Sequence, residues 1–592
     1  MSIDMSPVRV AVVGGGVAGM TAAHELVLRG FDVALYERRD LGDPVLSLGG
    51  KAASQMSTHG GAVYAGEHGF RFFPAFYWHT PDTMSRIPLR ASERGRSLGP
   101  LEYPRGSSVA HRLKESLHLG VGYRGRKMRV VERDELETLN DFKGMLRLLT
   151  ADYTLPAADI HRLVSRLLVY YTSGNRRRRE AWQAQTIGEF LQVDRLSPAG
   201  REFVSDLPKA LVAMDSEQGN AKTLLDVAYL LMLDFVRPAQ SDRMLSGPTS
   251  EAWFRPWYEH LLACGVRFHF GSEGTVTGWD VDGRRVRRAL TATGEVQADY
   301  FVCALPIEAL YEDAARALVT ASAPLTRLTE LPLEAITQWM AGFQFFVRGR
   351  RPIVHGMINL ADSPWGITAV AQGQFWDRDV FDLSRQPYDE IVSVIVTRWD
   401  RSWRGRIPTR CSVATLRDLV GEHLAEYLTP DGIEGQPGGE PILDLAQLVH
   451  AHADTALADS PAGLVNSAPL LIHPPSFQRR RPDTDPGLDN VVLAADYVAN
   501  GTDLATMEGA NEAARRAVNR LLLLTTSPAP RCHVVDHLER HEPAWLRAIK
   551  NLDDRVYPAR NLYELFLPAS HRTDSAPSKL TRARPAEPAR RR

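Results

Sequence analysis

The stretch Val10-Ala11-Val12-Val13-Gly14-Gly15-Gly16-Val17-Ala18-Gly19, running into Met20-Thr21-Ala22-Ala23-His24-Glu25-Leu26, constrains this chain more than any other. An apolar β-branched run reads as a buried parallel strand, the glycines as a tight turn, and the residues after them have helical periodicity. In such a strand–turn–helix Gly14 permits the turn, Gly16 lets a pyrophosphate approach the backbone and Gly19 lets helix and strand pack closely. The helix opens at Val17 and Ala18, and its N-terminus offers N–H groups and a positive dipole end to phosphates. A second strand over residues 31–36 ends in Glu37, about 20 residues past the glycines, where a carboxylate can accept both ribose hydroxyls of an adenosine. The bland alternative is a glycine turn in an unrelated β/α unit, and the second strand with its acidic end argues against it.

After Glu37 come Arg38, Arg39 and a loop to Leu48-Gly49-Gly50-Lys51-Ala52-Ala53-Ser54, a second glycine pair followed by a cation. A nicotinamide-dependent domain has no standing need for such a loop. With Glu37, the Gly49-Gly50-Lys51 loop and the later Gly66-Glu67-His68-Gly69-Phe70-Arg71-Phe72-Phe73, the chain resembles the flavin-dependent amine oxidase and carotenoid (phytoene) desaturase superfamily. Its C-terminal end agrees: residues 490–498 hold a strand and Asp496, and residues 502–514 hold a helix start rich in small residues. The resemblance implies FAD, with the Gly-Gly-Lys loop following the far side of the pyrophosphate and the Val276 backbone meeting the adenine. It implies ring contacts from the backbone around Gly66, Gly69, Phe70 and Arg71 and around Thr506, Met507 and Ala510. Asp496 is placed to accept from a ribityl or pyrophosphate-adjacent hydroxyl.

The formal net charge of this 592-residue chain is -1, so no global field favours nucleic acid or any acidic partner. Its four cysteines, Cys264, Cys303, Cys411 and Cys532, have no Cys-x-x-Cys spacing, which argues against a metal site or a disulfide scaffold and fits a reducing, cytoplasmic setting. The N-terminus lacks a basic region with a cleavable apolar stretch, and no segment offers about 18 consecutive apolar residues. The basic run Arg176-Arg177-Arg178-Arg179 allows peripheral contact with anionic headgroups, although such runs are more often solvated loops.

The expected fold class is α/β. A Rossmann-type FAD-binding domain, a doubly wound sheet with a β-hairpin insertion, takes residues 1–95, 245–320 and 460–525. A discontinuous α+β substrate domain with a mixed sheet and helices takes residues 96–244 and 321–459. Helices are expected over residues 141–149 and 160–171, where apolar residues recur at i, i+3, i+4, and strands over 343–347 and 391–396. Residues 526–592 are expected to form a helical extension with a disordered Arg-, Pro-, Ala- and Ser-rich tail.

In the resembled family the chemistry belongs to the flavin: a hydride leaves a substrate C–H bond, and oxygen or a quinone then empties the reduced ring. Two substrate readings stay open. One is desaturation of an isoprenoid or other apolar metabolite in a tunnel lined by Trp253, Phe254, Phe346, Trp365 and Trp376. It is favoured by residues 243–249, which resemble the desaturase branch, and by the lack of lysine over about 335–400. The other is oxidation of an amine or amino acid held by Arg71, His68 or Glu67. Arg71, His68 and Trp365 are therefore the candidate catalytic side chains; a flavin-binding protein without turnover is the third class.

Overall fold

The computed structural model describes residues 7–89, 107–132, 155–212, 214, 216–235, 242–349, 354–428, 433, 444–538 and 542–566. The apolar run at the N-terminus forms the Arg9–Val13 strand at the centre of a five-stranded parallel sheet. The order is Arg267–Phe270, Asp32–Glu37, Arg9–Val13, Tyr300–Cys303 and Val491–Leu493, with Val12 level with Leu35 and Val302. Alternate side chains enter two different cores: Val10 and Val12 lie with Val33, Leu35 and Val492, whereas Ala11 and Val13 lie with Phe301, Leu493 and Trp279. Burial on both faces is why these strands read as unbroken apolar runs rather than alternating ones.

One face of this sheet carries the helices Val17–Val27 and Met507–Leu524. Gly19 makes the first possible, since a Cβ there would collide with the Gly14 carbonyl oxygen. The other face carries the expected hairpin insertion, extended to a three-stranded antiparallel sheet of Val276–Asp282, Arg285–Thr291 and Glu295–Val296. Trp279 anchors it edge-on against Phe301 at 5.8 Å between ring centroids.

A second sheet has seven strands in the order Leu448–Ala453, Ala341–Val347, Glu390–Val396, Ile367–Ala371, Gly356–Leu360, His118–Gly122 and Arg129–Glu132. It is mixed, because His118–Gly122 runs parallel to Gly356–Leu360 while the other neighbours are antiparallel. Phe343 and Phe345 point to a core beneath the helix Val413–Tyr427, and Gln344 points the other way, to the hairpin Ser54–His59/Ala62–Glu67. The Gln344 amide donates to the Glu67 carbonyl and accepts from the Glu67 N–H, both at 3.0 Å, which fixes the hairpin to the sheet.

The amphipathic pattern at 160–171 gives the helix Ala157–Thr172, whose buried stripe includes Leu163, Arg166, Val169 and Tyr170. The helix expected over 141–149 and the tail beyond 566 lie outside the described residues. The basic run differs from expectation. It forms the helix Asn175–Glu180, in which Arg177 and Arg178 are buried. Arg177 donates to both oxygens of Asp553 at 2.9 and 3.0 Å, Arg178 pairs with Asp226 at 3.3 Å, and the exposed Arg176 pairs with Glu180. Two of the four charges are thus consumed by internal partners, one of them on the C-terminal helix Ala544–Val556. Among the described residues, no helix is long and apolar enough to cross a membrane.

Removing one partner of a buried pair leaves an uncompensated charge, at a cost of about 3–5 kcal/mol, whereas an exposed pair contributes about 0–1 kcal/mol. Asp553→Ala should therefore lower stability in urea by the larger amount and Arg176→Ala by the smaller. Equal midpoints for the two variants would show that the extension is not held by this pair.

Candidate functional site

The C-terminal ends of the parallel strands open into a cleft of about 1190 Å³, at the place where ligands bind in sheets of this kind. Val13, Glu37, Ala304 and Asp496, each at or just beyond a strand end, line it. The glycine turn is shaped by Glu37, whose carboxylate accepts from Gly15 N–H at 2.8 Å and Arg39 N–H at 2.9 Å. Each oxygen keeps a further lone pair, and Glu37 lines the cleft. The second glycine loop is tied to the first by Gly49 N–H donating to the Gly15 carbonyl at 2.8 Å. A Cβ on Gly16 would project into the gap between the two loops, 3.9 Å from Gly50 Cα, the space a pyrophosphate requires.

Lys51 is held by the Pro469 carbonyl at 2.6 Å and Glu308 at 2.9 Å. The other Glu308 oxygen is buried and has no partner among the described residues, a vacant acceptor on the wall of the cleft. Across from it, burial and the nearby Glu308 raise the Asp496 carboxyl above its ordinary range, against the pull of Lys51 and Arg481.

At the far end the Arg71 guanidinium donates to the carbonyls of Lys51 at 2.9 Å and Ala52 at 3.3 Å. Burial lowers its pKa, opposed by Glu67 and Asp454. Glu67 accepts from Ser54 Oγ, Thr249 N–H and Thr249 Oγ1 at 2.8 to 3.0 Å, so both of its oxygens are engaged. His68 Nδ1 lies 2.5 Å from Asp454, whose other oxygen accepts from the Gln55 amide at 2.7 Å. The Gln55 carbonyl oxygen meets His452 Nε2 at 2.8 Å, and burial lowers His452 to about 4.

Thr506 caps the helix Met507–Leu524 by accepting from Gly509 N–H at 3.1 Å, which directs the helix N-terminus at the cleft. The loop before it is set by Asp503, which carries a left-handed φ of 53°. Lys222 and Thr223 donate to one Asp503 oxygen at 3.0 and 2.8 Å, and Gln478 and Arg481 donate to the other. Arg481 also donates to the carbonyls of Asp496, Tyr497 and Val498.

Of the residues the sequence singles out, Gly14, Gly16, Val17, Ala18, Glu37, Arg38, Gly49, Gly50, Lys51, His68, Arg71, Val276, Asp496, Thr506, Met507 and Ala510 line this one cleft. Gly19 lies beneath the turn, Gly69 packs on Ile395, and Phe70 joins Met244, Val370 and Phe375 in an apolar cluster. Trp365 is misplaced by the sequence reading: it is fully buried on the helix side of the mixed sheet, edge-on to Trp403 and tilted against His423, and its N–H donates to the Arg401 carbonyl. Trp253 and Phe254 stack in the core under the glycine loops, and Phe346 and Trp376 pack in clusters behind the hairpin. The apolar side chains that do line the cleft include Met56, Tyr77, Met340 and Leu470. Gln55, Glu308, His452 and Asp454 were not anticipated. Glu308 had a signal, since it lies just past the end of a parallel strand; the other three had none.

Residues 9–174 match the family described as FAD dependent oxidoreductase. The chain is 26% identical over 261 residues to the zeta-carotene desaturase of Synechocystis sp., an alignment spanning 44% of this chain and 48%, about half, of that relative. In structure it is similar to a putrescine oxidase solved with putrescine bound, with TM-score 0.55 and 13% identity over 88% of this chain and 99% of that one. It is also similar to an oxidoreductase from Methanosarcina mazei, with TM-score 0.51 and 13% identity over 87% of this chain and 100% of that one. Residues 9–174 are thus similar to FAD-dependent oxidoreductases in sequence, and the fold resembles that of the putrescine oxidase over most of the chain. The cofactor is FAD, and the open Gly16–Gly50 gap, the carboxylate at Glu37 and the vacant Glu308 acceptor fit its pyrophosphate and hydroxyls.

Burial alone would raise the Asp503 carboxyl, but the charges of Lys222, Arg481 and His473 and the Gln478 hydrogen bond hold it below the usual carboxylate range. An unfolded aspartate titrates near pH 3.9, above the folded value, so the stability Asp503 contributes is complete above about pH 4 and is lost as the pH falls further. The gap in urea midpoint between wild type and Asp503→Asn should stay constant from pH 7 to about 5 and narrow below about 4. A gap independent of pH would mean that the charge on Asp503 contributes nothing.

Proposed function

We propose that the protein is an FAD-dependent oxidoreductase that removes a hydride from a C–H bond of an apolar organic metabolite, a desaturase or dehydrogenase of isoprenoid-like substrates. Bound FAD supplies the hydride acceptor, and oxygen or a quinone takes up the electrons afterwards. Glu37 receives the adenosine ribose, the backbone at residues 14–18 and 49–51 the pyrophosphate, and Asp496 and Glu308 the hydroxyls beyond it. Arg71 positions the Lys51–Ala52 backbone and does not itself grip substrate.

The observation that carries the substrate class is how the two buried charges nearest the hairpin are used. An amine or amino acid needs a countercharge, because an unpaired ionic group in a closed pocket is costly. Glu67 accepts from Ser54 and Thr249 and pairs with Arg71 at 3.6 Å, and two of the Arg71 N–H groups donate to backbone carbonyls, so the two charges already compensate each other. The methionines Met56 and Met340 offer flexible apolar surface instead. The likeness to a zeta-carotene desaturase supports the same class.

The purified protein should be yellow, and acid precipitation should release the flavin, since the four cysteines are buried away from the cleft. Glu37→Ala should weaken FAD binding by about 1.5–3 kcal/mol and Glu37→Gln by less, because a charge-assisted contact is lost wholly in one and partly in the other. Equal FAD retention by wild type and both variants would remove the ribose role.

Anaerobic bleaching of the flavin tests the substrate class. A panel of polyprenoids, fatty acyl compounds, amines and amino acids should give reduction with an apolar member, aided by detergent or liposomes. Reduction by a small water-soluble amine without any lipid carrier would replace this reading with an amine oxidase.

A further inference from the structure

His68 is the one member of the Gly-Glu-His-Gly segment that both lines the cleft and keeps a ring nitrogen without a partner among the described residues. Its Nδ1 is occupied by Asp454 at 2.5 Å, in a pair where the His68 side chain is 6% exposed and that of Asp454 is fully buried. A carboxylate accepts only, so Nδ1 carries the proton, and in the neutral ring Nε2 is the basic atom.

The support behind Asp454 is more extensive than a structural histidine needs. Gln55 donates to its second oxygen at 2.7 Å, Ala456 N–H donates to the same oxygen at 3.0 Å, and the Gln55 carbonyl is held by His452 and by Thr455 N–H. The Gln55 amide orientation is thereby fixed, with NH₂ toward Asp454 and oxygen toward His452. The hydrogen bonds from His68, Gln55 and Ala456 N–H hold the Asp454 carboxyl below its ordinary range despite burial. The carboxylate is thus kept ionised to orient an imidazole, which is the arrangement of a positioned general base.

We propose that His68 Nε2 is the proton acceptor of the reaction, with Asp454 as its positioning residue. The inference rests on the dehydrogenase reading above and deepens it by making proton removal a protein-assisted step. In balance, a substrate CH–CH unit loses one hydrogen with its bonding pair, as hydride to oxidised flavin, and the neighbouring hydrogen as a proton to His68 Nε2. The electron pair left by the proton becomes the new C=C bond. The imidazolium that forms is stabilised by Asp454, and its proton passes to water when the cleft reopens.

The test uses the FAD-loaded full chain. With ¹⁵N-histidine labelling, the resonances lost in His68→Gln identify this ring, and in wild type they should show a protonated Nδ1 and a bare Nε2; in Asp454→Asn the ring should lose that single tautomer. His68→Gln should retain FAD and its melting temperature while flavin reduction by the best substrate of the panel slows about 10²–10⁴-fold. Asp454→Asn should fall between that variant and wild type, and serves alone if His68→Gln does not fold. Reduction of His68→Gln at the wild-type rate, or a ring protonated at Nε2, overturns the proton role and leaves the oxidoreductase reading standing. If no member of the panel reduces the wild-type flavin, the substrate reading fails first and takes this inference with it.

Discussion

An ionised carboxylate removed from water must find hydrogen bonds of nearly equal worth, and in this protein the donors it finds are largely the backbone N–H groups of the loops around the cleft. Glu37 binds the first glycine turn, and Glu67 binds the start of the π-helical turn Ser250–Phe254 through Thr249. Glu508 accepts from the N–H groups of Trp78, His79 and Thr80, and Glu512 from those of Gly501 and Thr502. Loops carry little apolar area of their own, so their geometry comes from these charges. The same logic explains why few of the charged residues near the cleft are free: most are already committed to shaping it.

The parts of the fold legible in the sequence are those written locally. The strand–turn–helix at residues 9–27 is set by β-branched residues, glycine spacing and helical periodicity, all within one stretch of chain. Face assignment was not legible. The strand Ala341–Val347 is buried along its whole length, so its apolar run does not reveal that Phe345 faces a helix while Gln344 faces the hairpin. Trp365 comes after a proline in a connection between two strands, where periodicity has nothing to act on, and aromatic content alone suggested a pocket. Asp454 lies 386 residues from His68, and only the sheet order brings them together.

Charge runs failed as a guide for a related reason. Four consecutive arginines on a helix spread around its circumference, so half of Arg176-Arg177-Arg178-Arg179 turns inward. Inward-facing guanidiniums demand buried acids, and these come from Asp226 and from Asp553, far along the chain. The C-terminal extension is thereby a structural part of the molecule and not an appendage. Arg166 repeats the pattern with Glu564 at 3.2 Å.

The extension also packs against the first turn of the helix Met507–Leu524. His79, Glu512 and His537 bring ligand atoms within 4.8 Å of one another, a spacing compatible with a metal ion. Two of the three are otherwise engaged: Val535 N–H donates to His79 Nε2 at 3.0 Å, which leaves Nδ1–H to donate to Glu508, while both Glu512 oxygens accept from the Gly501–Thr502 backbone. The cluster is better understood as a strut. Through His79 and Glu508, the backbone at Val535 is linked to the first turn of the helix Met507–Leu524, whose N-terminus faces the cleft. The position of that helix therefore depends on residues beyond the last strand of the parallel sheet, which is why the extension is packed with charge pairs rather than left free.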